Sequence, residues 1–268
     1  MLSIIIVNYK NAPLLRLCLK SLQRVLPASF AHEIIVVDVS ASPDTAYIAA
    51  EEFPNVRYLP FKENIGYTKG VNNGLKVAKG DFLFIINSDI IPLESSLDKM
   101  CAYMKAHPEI GLLGPQLLNF DGSRQQSCFR FYTPFTIVYR RTFLGKFPFV
   151  KKITDRFLMR DKDLTQTLNV DWLMGSALMV SRKAMERVGY MDERLYLYFS
   201  DVDWPRRFWE NGYTVVFYPE AQMYHYHRRE SRGALDAFDA IFNRRTQQHI
   251  IDGLRYFRKN GLREASYI

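Results

Sequence analysis

Apolar residues in the first third of the chain fall in short unbroken runs separated by amphipathic stretches. Leu2 to Val7, Ile34 to Val37 and Phe82 to Ile86 are continuous runs of β-formers, the pattern of strands covered on both faces in a mainly parallel sheet. Between them Leu14, Leu15, Cys18, Leu19 and Leu22 recur at helical spacing, which predicts a helix from about Pro13 to Val25. Ser42-Pro43-Asp44 reads as a helix start with proline in or near the first turn, Val56 to Pro60 as a short strand, and Gly66 to Ala78 as a helix whose Val71, Leu75 and Ala78 can face the sheet. Strands and helices in alternation imply a right-handed βαβ sheet of nucleotide-binding, Rossmann-like type.

The second half is less regular. Leu93 to Ala106 predicts a helix, Gly111 to Leu117 a strand and Asp121-Gly122 a hairpin-like turn. Residues 129–168 mix aromatics with Arg140, Arg141, Lys146, Lys151, Lys152, Arg156 and Arg160 and read as a long functional loop with short helices. Val170 to Val180 returns to strand character, Lys183 to Val188 is a short helix, Trp204 to Asn211 a helix ended by Gly212, and Thr214 to Tyr218 a strand. From Gly233 the chain reads as helical, with Ala234, Phe238, Ile241 and Phe242 on one face. The expected organisation is α/β: one domain over residues 1–232, with a nucleotide-binding half at about 1–118 and an acceptor-side half at about 119–232, then a helical extension over 233–268.

With 268 residues, 48% hydrophobic and 24% charged, the chain can bury a sizeable core, and disordered or collagen-like classes are excluded. The net charge of +8 points to an anionic partner: a nucleoside diphosphate, a membrane surface or nucleic acid. Cys18, Cys101 and Cys128 include no close pair, which argues against a disulfide framework or zinc knuckle and fits a reducing cytosol. The opening MLSIIIVNYK lacks a basic leader and a small-residue cleavage site, so residue 1 is read as the mature start. No run approaches the roughly 20 apolar residues of a spanning helix.

Asn87-Ser88-Asp89 closes the Phe82 to Ile86 run, and in open α/β sheets ligands bind at the carboxyl ends of strands. An acid beside an amide and a hydroxyl offers hard oxygen ligands suited to Mg²⁺ or Mn²⁺ holding a phosphate. The same residue types are common turn formers, so the triplet alone fits either reading.

Asp38 ends the second strand run, and Phe199 to Arg207 reads FSDVDWPRR. With these stand SIIIVNYKN from Ser3, NIGYTKGVNNGL from Asn64, WLMGSALMVSRKAMERVGYMDERLY from Trp172 and GYTVVFYPEAQMYHYH from Gly212. In that order along the chain, the set resembles the inverting family 2 glycosyltransferases of GT-A fold, most of all the bacterial branch containing rhamnosyltransferases of cell-surface polysaccharide assembly.

The resemblance implies a nucleoside diphosphate sugar donor, a glycan or lipid-linked acceptor, and Mg²⁺ or Mn²⁺. It implies that Asp38 hydrogen-bonds the base or ribose, and that Asn64, Gly66 and Asn72 line the nucleotide cleft, the glycine letting backbone approach the ligand. Asn87, Ser88 and Asp89 match the DXD-type motif, with Asp89 as metal ligand and Asn87 in place of the first acid. Val39 stands where Asn is often found. Trp172, Gly175 and Ser176 would border the sugar and acceptor site. Inversion needs one carboxylate to take the acceptor hydroxyl proton. The family's Glu-Asp-x-Asp reads Ser200-Asp201-Val202-Asp203 here; Asp201 takes the position of the usual base, Asp203 is the rival, and capping of a helix near Trp204 is the plain structural reading. His225 and His227 would share one face of a strand. His225 aligns best with a histidine that relatives place at the metal or diphosphate, and Arg228 and Arg229 are candidate phosphate ligands.

Nucleotidyltransferase and dehydrogenase readings fail at Asn8-Tyr9-Lys10-Asn11, where a glycine-rich phosphate loop or G-x-G-x-x-G would stand. No nucleic-acid-reading motif accompanies the charge. The loss of the first acid at Ser200 keeps open an inactive glycan-binding relative. Over 139–160, Tyr139, Phe143, Leu144, Phe147, Phe149, Phe157 and Leu158 interleave with cations, and Arg244, Arg245, Arg255, Arg258 and Lys259 follow later, a mixture suited to an anionic bilayer surface. The expected location is the cytoplasm, at the inner face of the membrane; inward packing of the aromatics and a homodimer through them are the competing readings.

Overall fold

The computed structural model describes residues 1–26, 30–141, 147–226, 244–262 and 267–268. Every residue of β1 (Leu2–Asn8) is buried, because it lies between β2 (His32–Asp38) and β4 (Phe82–Asn87), both parallel to it. Its alternate side chains feed two layers. Ile4 and Ile6 join Leu15, Cys18, Leu19 and Leu22 of α1 (Ala12–Val25), whereas Ile5 and Val7 join Val71 and Leu75 of α3 (Tyr67–Val77). Helix α2 (Pro43–Tyr47) leads to β3 (Arg57–Pro60), which pairs parallel to β2.

The chain then forms β5 (Ile90–Pro92), α4 (Ser96–Ala106), β6 (Ile110–Leu118), β7 (Cys128–Phe129), α5 (Pro134–Arg141), α6 (Pro148–Phe157), β8 (Leu168–Asn169), β9 (Trp172–Leu173), β10 (Ala177–Ser181), α7 (Arg182–Val188), α8 (Ser200–Glu210), β11 (Thr214–His225) and α9 (Arg244–Asn260). The main sheet runs β3-β2-β1-β4-β10-β6-β11-β5, with β8 paired to β11, while β7 and β9 make a separate ribbon. β10 is antiparallel to β4 and β6, β11 is parallel to β6, and β5 is antiparallel to β11. This is the expected α/β architecture, a mainly parallel sheet flanked by helices.

Register decides what meets at the sheet's rim. Asn8 lies opposite Asp38, and Val7 opposite Asn87, so the carboxyl ends of β1, β2 and β4 align. β10 enters from the other direction, with Ala177 opposite Ile86. The residues before β10 therefore reach the same rim, where the Asn87 amide donates to the Ser176 carbonyl at 3.0 Å.

Several boundaries differ from the pattern-based expectation. The helix expected from Leu93 begins at Ser96, because Ile90–Pro92 is drawn into the sheet edge by β11. The strand expected over Val170 to Val180 is broken between β9 and β10 around Gly175. The strand expected to end at Tyr218 runs to His225, passing Pro219 through a register shift between Tyr218 and Gln222. Helix α8 begins at Ser200 rather than near Trp204, placing Pro205 inside the helix, where its missing N–H leaves the Asp201 carbonyl without its usual intrahelical donor. Among the described residues of 129–168 are the helices α5 and α6. Of the C-terminal extension, α9 is described, and the expected face of Ala234, Phe238, Ile241 and Phe242 lies outside the described residues.

A third apolar cluster, separate from the two sheet layers, unites Phe129, Phe131, Phe157, Trp172, Phe199, Val202 and Tyr256. It joins α6, α8 and α9 into one block beside the rim.

Candidate active site

Asp89 stands in the turn between β4 and β5. Its Oδ1 is buried without a hydrogen-bond partner, and its Oδ2 lies 3.7 Å from Nε2 of His225. Burial pushes its carboxyl up to about 6. His225 is brought there by edge pairing, since it lies opposite Ile90 in the β11–β5 ladder.

Gln125 fixes the orientation of the His225 ring. Its amide nitrogen donates to the Leu118 carbonyl at 3.3 Å, to Asn119 Oδ1 at 2.8 Å and to the His225 carbonyl at 2.9 Å. Its oxygen therefore faces His225 Nδ1, at 2.8 Å, so Nδ1 carries the hydrogen. In the neutral ring the lone pair then falls on Nε2, on the Asp89 side. A donor-free buried carboxylate oxygen beside such an imidazole is a ligand pair that fits Mn²⁺ or Mg²⁺, the rest of the shell coming from phosphate oxygens and water. Among the described residues no group of three or more His, Cys, Asp or Glu could hold a metal, so the protein offers a pair rather than a cage.

A second carboxylate lies at the same rim. Asp201, in the first turn of α8, accepts the Gly175 amide at 3.2 Å and has no cationic partner among the described residues. Burial pushes its carboxyl up to about 6. Gly175 makes room for it: a Cβ there would lie 2.9 Å from Asp201 Cβ. Tyr67, at the start of α3, donates its phenol to the Gly175 carbonyl at 2.6 Å. Burial, together with the charges of Asp201 and Asp89, pushes that phenol well above its ordinary value.

Asp203, the rival acid, is in a different situation. It is fully buried, and its carboxylate is taken by Arg207 at 3.2 Å, Lys259 at 2.8 Å and Asn260 at 3.1 Å. With both oxygens engaged and no exposed surface, this carboxylate is not open to an acceptor hydroxyl. Two residues apart, the acids differ because α8 turns Asp201 to the rim and Asp203 towards α9.

The other residues singled out from the sequence divide between internal packing and the rim. Asp38 has no exposed surface; its carboxylate accepts from Asn8 at 3.1 Å, Tyr58 at 2.9 Å and Thr45. It locks the ends of β1, β2 and α2 rather than facing a base or ribose. Asn72 is buried and bridges α3 to the loop after α7, donating to the Met191 carbonyl at 2.9 Å and Glu193 at 3.1 Å and accepting from the Met191 amide at 3.1 Å. Gly66 does permit a close approach, at φ +82°, but the approaching group is the Tyr196 ring. Asn64 is exposed and accepts from the Gly66 amide at 2.9 Å. Asn87 and Ser88 lie at the rim, the Ser88 amide donating to the Val7 carbonyl at 3.1 Å. Ser176 is there too, held by Asn87. Trp172 is buried, stacked on Phe129 at 4.2 Å and donating to the Arg130 carbonyl at 2.7 Å, so it supports the rim from beneath. His227, Arg228 and Arg229 lie outside the described residues.

Two residues of this site were not singled out from the sequence. Tyr67 sits in the NIGYTKG stretch but reads there as an ordinary helix aromatic. Gln125 carries no local signal, since its partners lie on β6 and β11.

The family model for glycosyl transferase family 2 matches residues 3–188, more than half of the chain. The chain belongs to this family. Among curated proteins, this family 2 glycosyltransferase is 29% identical over 244 residues to the N-acetylglucosaminyl-diphospho-decaprenol L-rhamnosyltransferase of Mycobacterium tuberculosis, covering 87% of this chain and 78% of the relative. It is 23% identical over 206 residues to the low-salt glycan biosynthesis hexosyltransferase Agl10 of Haloferax volcanii, covering 75% and 59%. Its fold is that of GT-A glycosyltransferases. GalNAc-T7, solved with UDP, GalNAc and Mn²⁺, superposes with a TM-score of 0.65 at 15% identity over 86% of this chain, which spans 44% of that one. The mannosyltransferase PcManGT of Pyrobaculum calidifontis, solved with GDP-Man and Mn²⁺, gives 0.58 at 18% identity over 96% of this chain and 64% of its own.

Proposed function

We propose that this family 2 glycosyltransferase moves a sugar, with rhamnose the first candidate, from a nucleoside diphosphate to a hydroxyl of a glycan or lipid-linked acceptor, inverting the anomeric centre. The observation that carries this reading is Asp201: one carboxylate at the rim, raised to about 6, with no cation among the described residues to neutralise it, beside a separate metal-fitting pair. Asp201 takes the proton as the acceptor oxygen bonds to the anomeric carbon, and the bond from that carbon to the diphosphate oxygen breaks, releasing nucleoside diphosphate. Asp89 and His225 would hold Mg²⁺ or Mn²⁺, which when bound neutralises charge on the leaving diphosphate. Asn87, Ser88 and Ser176 are the polar groups positioned to meet the donor at the rim. The mycobacterial relative's name supports both rhamnose and a lipid diphosphate acceptor.

The test is release of nucleoside diphosphate from a panel of nucleotide sugars, with and without Mn²⁺, followed by NMR of the product's anomeric centre. One donor should respond, and its product should be inverted. Retention of configuration, or release that survives Asp201→Asn unchanged, would overturn the reading.

A further inference from the structure

Helix α9 grips the segment that carries Asp201 from both sides. On one side Asp252, fully buried, accepts the backbone amides of Tyr196, Leu197 and Tyr198 at 3.3, 3.1 and 3.0 Å. Gln248 steadies the same carboxylate from one turn earlier, at 2.8 Å. On the other side Lys259 and Asn260 hold the two oxygens of Asp203 at 2.8 and 3.1 Å.

Between these anchors lies Phe199, the residue that caps α8. Its φ of +62° is an uncommon conformation for a bulky side chain, and such conformations persist only where the surroundings over-determine them. Here α9 supplies the surroundings. The Phe199 ring stacks on Tyr256 at 5.4 Å and meets Phe257 edge-on at 6.3 Å. Gly253 leaves the room this needs, since a Cβ there would lie 3.3 Å from the ring. Asp201 follows Phe199 by two residues and precedes Asp203 by two, so beyond its contact with Gly175 its place is also set by groups that do not touch it.

We propose that α9 is a brace that positions Asp201 for proton transfer, with Asp252, Lys259 and Asn260 as positioning residues. The proposal rests on Asp201 being the base, and the experiment is arranged so that the two claims fail separately. Lys259→Met, Lys259→Arg and Asp201→Asn are compared as full chains. Nucleoside diphosphate release is measured with the donor to which the unmodified protein responds, and the Asp201 carboxyl is followed against pH by ¹³C NMR. Removing the Lys259 charge would by itself raise the Asp201 midpoint, whereas loss of position, by admitting water to a desolvated carboxylate, lowers it.

The brace predicts a kcat lower by about 10- to 100-fold in Lys259→Met, with donor KM little changed. It also predicts a downward shift of the Asp201 midpoint and recovery of both in Lys259→Arg. A wild-type kcat, a midpoint unchanged or raised, or donor binding lost in step with kcat would each overturn it. Should Lys259→Met not fold, Asn260→Ala, which removes one neutral hydrogen bond from the same carboxylate, carries the test with the same outcomes. Full activity in Asp201→Asn would refute the base assignment; its loss beside wild-type kcat in Lys259→Met would refute the brace alone.

Discussion

Tyr67 and Asp201 are joined through a single residue: Gly175 accepts the phenol of Tyr67 at 2.6 Å and donates its amide to Asp201 at 3.2 Å. The link ties the first turn of α3 to the first turn of α8 across the rim, and it depends on the missing side chain at 175. A methyl group there would stand 2.9 Å from Asp201 Cβ and 3.2 Å from its Oδ2. Gly175→Ala should therefore displace the carboxylate and lower the transfer rate by about 10²-fold, with donor affinity much less affected. Steady-state kinetics check this, and full activity would show that the carboxylate need not sit where Gly175 holds it.

Asp201→Asn and Asp203→Asn should separate into different defects. The first removes the group placed to accept a proton, and transfer should fall by about 10² to 10⁴ while the protein folds and binds donor. The second breaks a buried charge cluster, costing about 3 kcal/mol of stability, at the low end of such losses because Lys259 and Arg207 keep some access to water. Denaturant unfolding and transfer rates on the same preparations distinguish them. Greater loss of transfer per folded molecule in Asp203→Asn would reverse the assignment.

The sequence shows the parallel half of the sheet plainly because double-sided burial writes β1, β2 and β4 as unbroken apolar runs. It shows β5 poorly: Ile90–Pro92 is too short for a pattern, and only pairing with β11 makes it a strand. The start of α8 is masked by Pro205, which reads as a first-turn proline, whereas Phe199 and its contacts to α9 set the true start. Among site residues, Asp89, Asp201 and His225 stand out through residue type and order along the chain. Asp38, Asn72 and Gly66 stand out equally, yet their partners Tyr58, Met191 and Tyr196 come from other segments, and no local pattern distinguishes a residue that faces a ligand from one that faces the protein.

The raised carboxyl of Asp201 has a thermodynamic consequence in the ligand-free protein. Its folded value of about 6 lies above the roughly 3.9 of an unfolded aspartate, so the folded chain holds this proton more tightly. The associated stability is fully present below pH 4 and lost as pH rises through about 6. Asp201→Asn should thus melt about 5 °C higher than the unmodified protein at pH 8, with the difference vanishing near pH 4. Calorimetry across that range tests it, and transfer should fall on the acid side of the same midpoint because the base must be ionised.

Gln125 makes its prediction through His225. Outer partners that fix a ligating imidazole typically contribute about 10- to 100-fold to metal affinity, so Gln125→Leu should weaken Mn²⁺ binding by that factor, and Asp89→Ala by more. Because Asp89 must lose its proton to bind a cation, affinity should also fall as pH drops through about 6. Titration calorimetry with Mn²⁺ and nucleoside diphosphate reads both effects. Wild-type affinity in Gln125→Leu would remove His225 from the metal's shell.

The block beside the rim presents apolar and cationic groups together. On and next to α6, Phe147, Phe149 and Ile153 are exposed, at 45%, 65% and 41%, among exposed Lys151, Lys152, Arg156 and Arg160. On α9, Ile250, Ile251 and Leu254 are exposed, and Arg255 and Arg258 stand beside them. Both helices pack on the third apolar cluster, next to Phe199 and therefore close in sequence to Asp201. No helix among the described residues is long and apolar enough to cross a membrane. Each cation near an anionic surface contributes about 1 kcal/mol, and the aromatic side chains add apolar anchoring. The protein should float with anionic vesicles at low salt, release at high salt, and bind neutral vesicles weakly. Phe149→Ser with Lys151→Ser and Lys152→Ser should reduce flotation while leaving release from a soluble acceptor analogue intact. Equal failure to bind both vesicle types would remove the membrane from this account, and a concentration-dependent dimer lost in the same variant would assign these faces to a second copy of the chain.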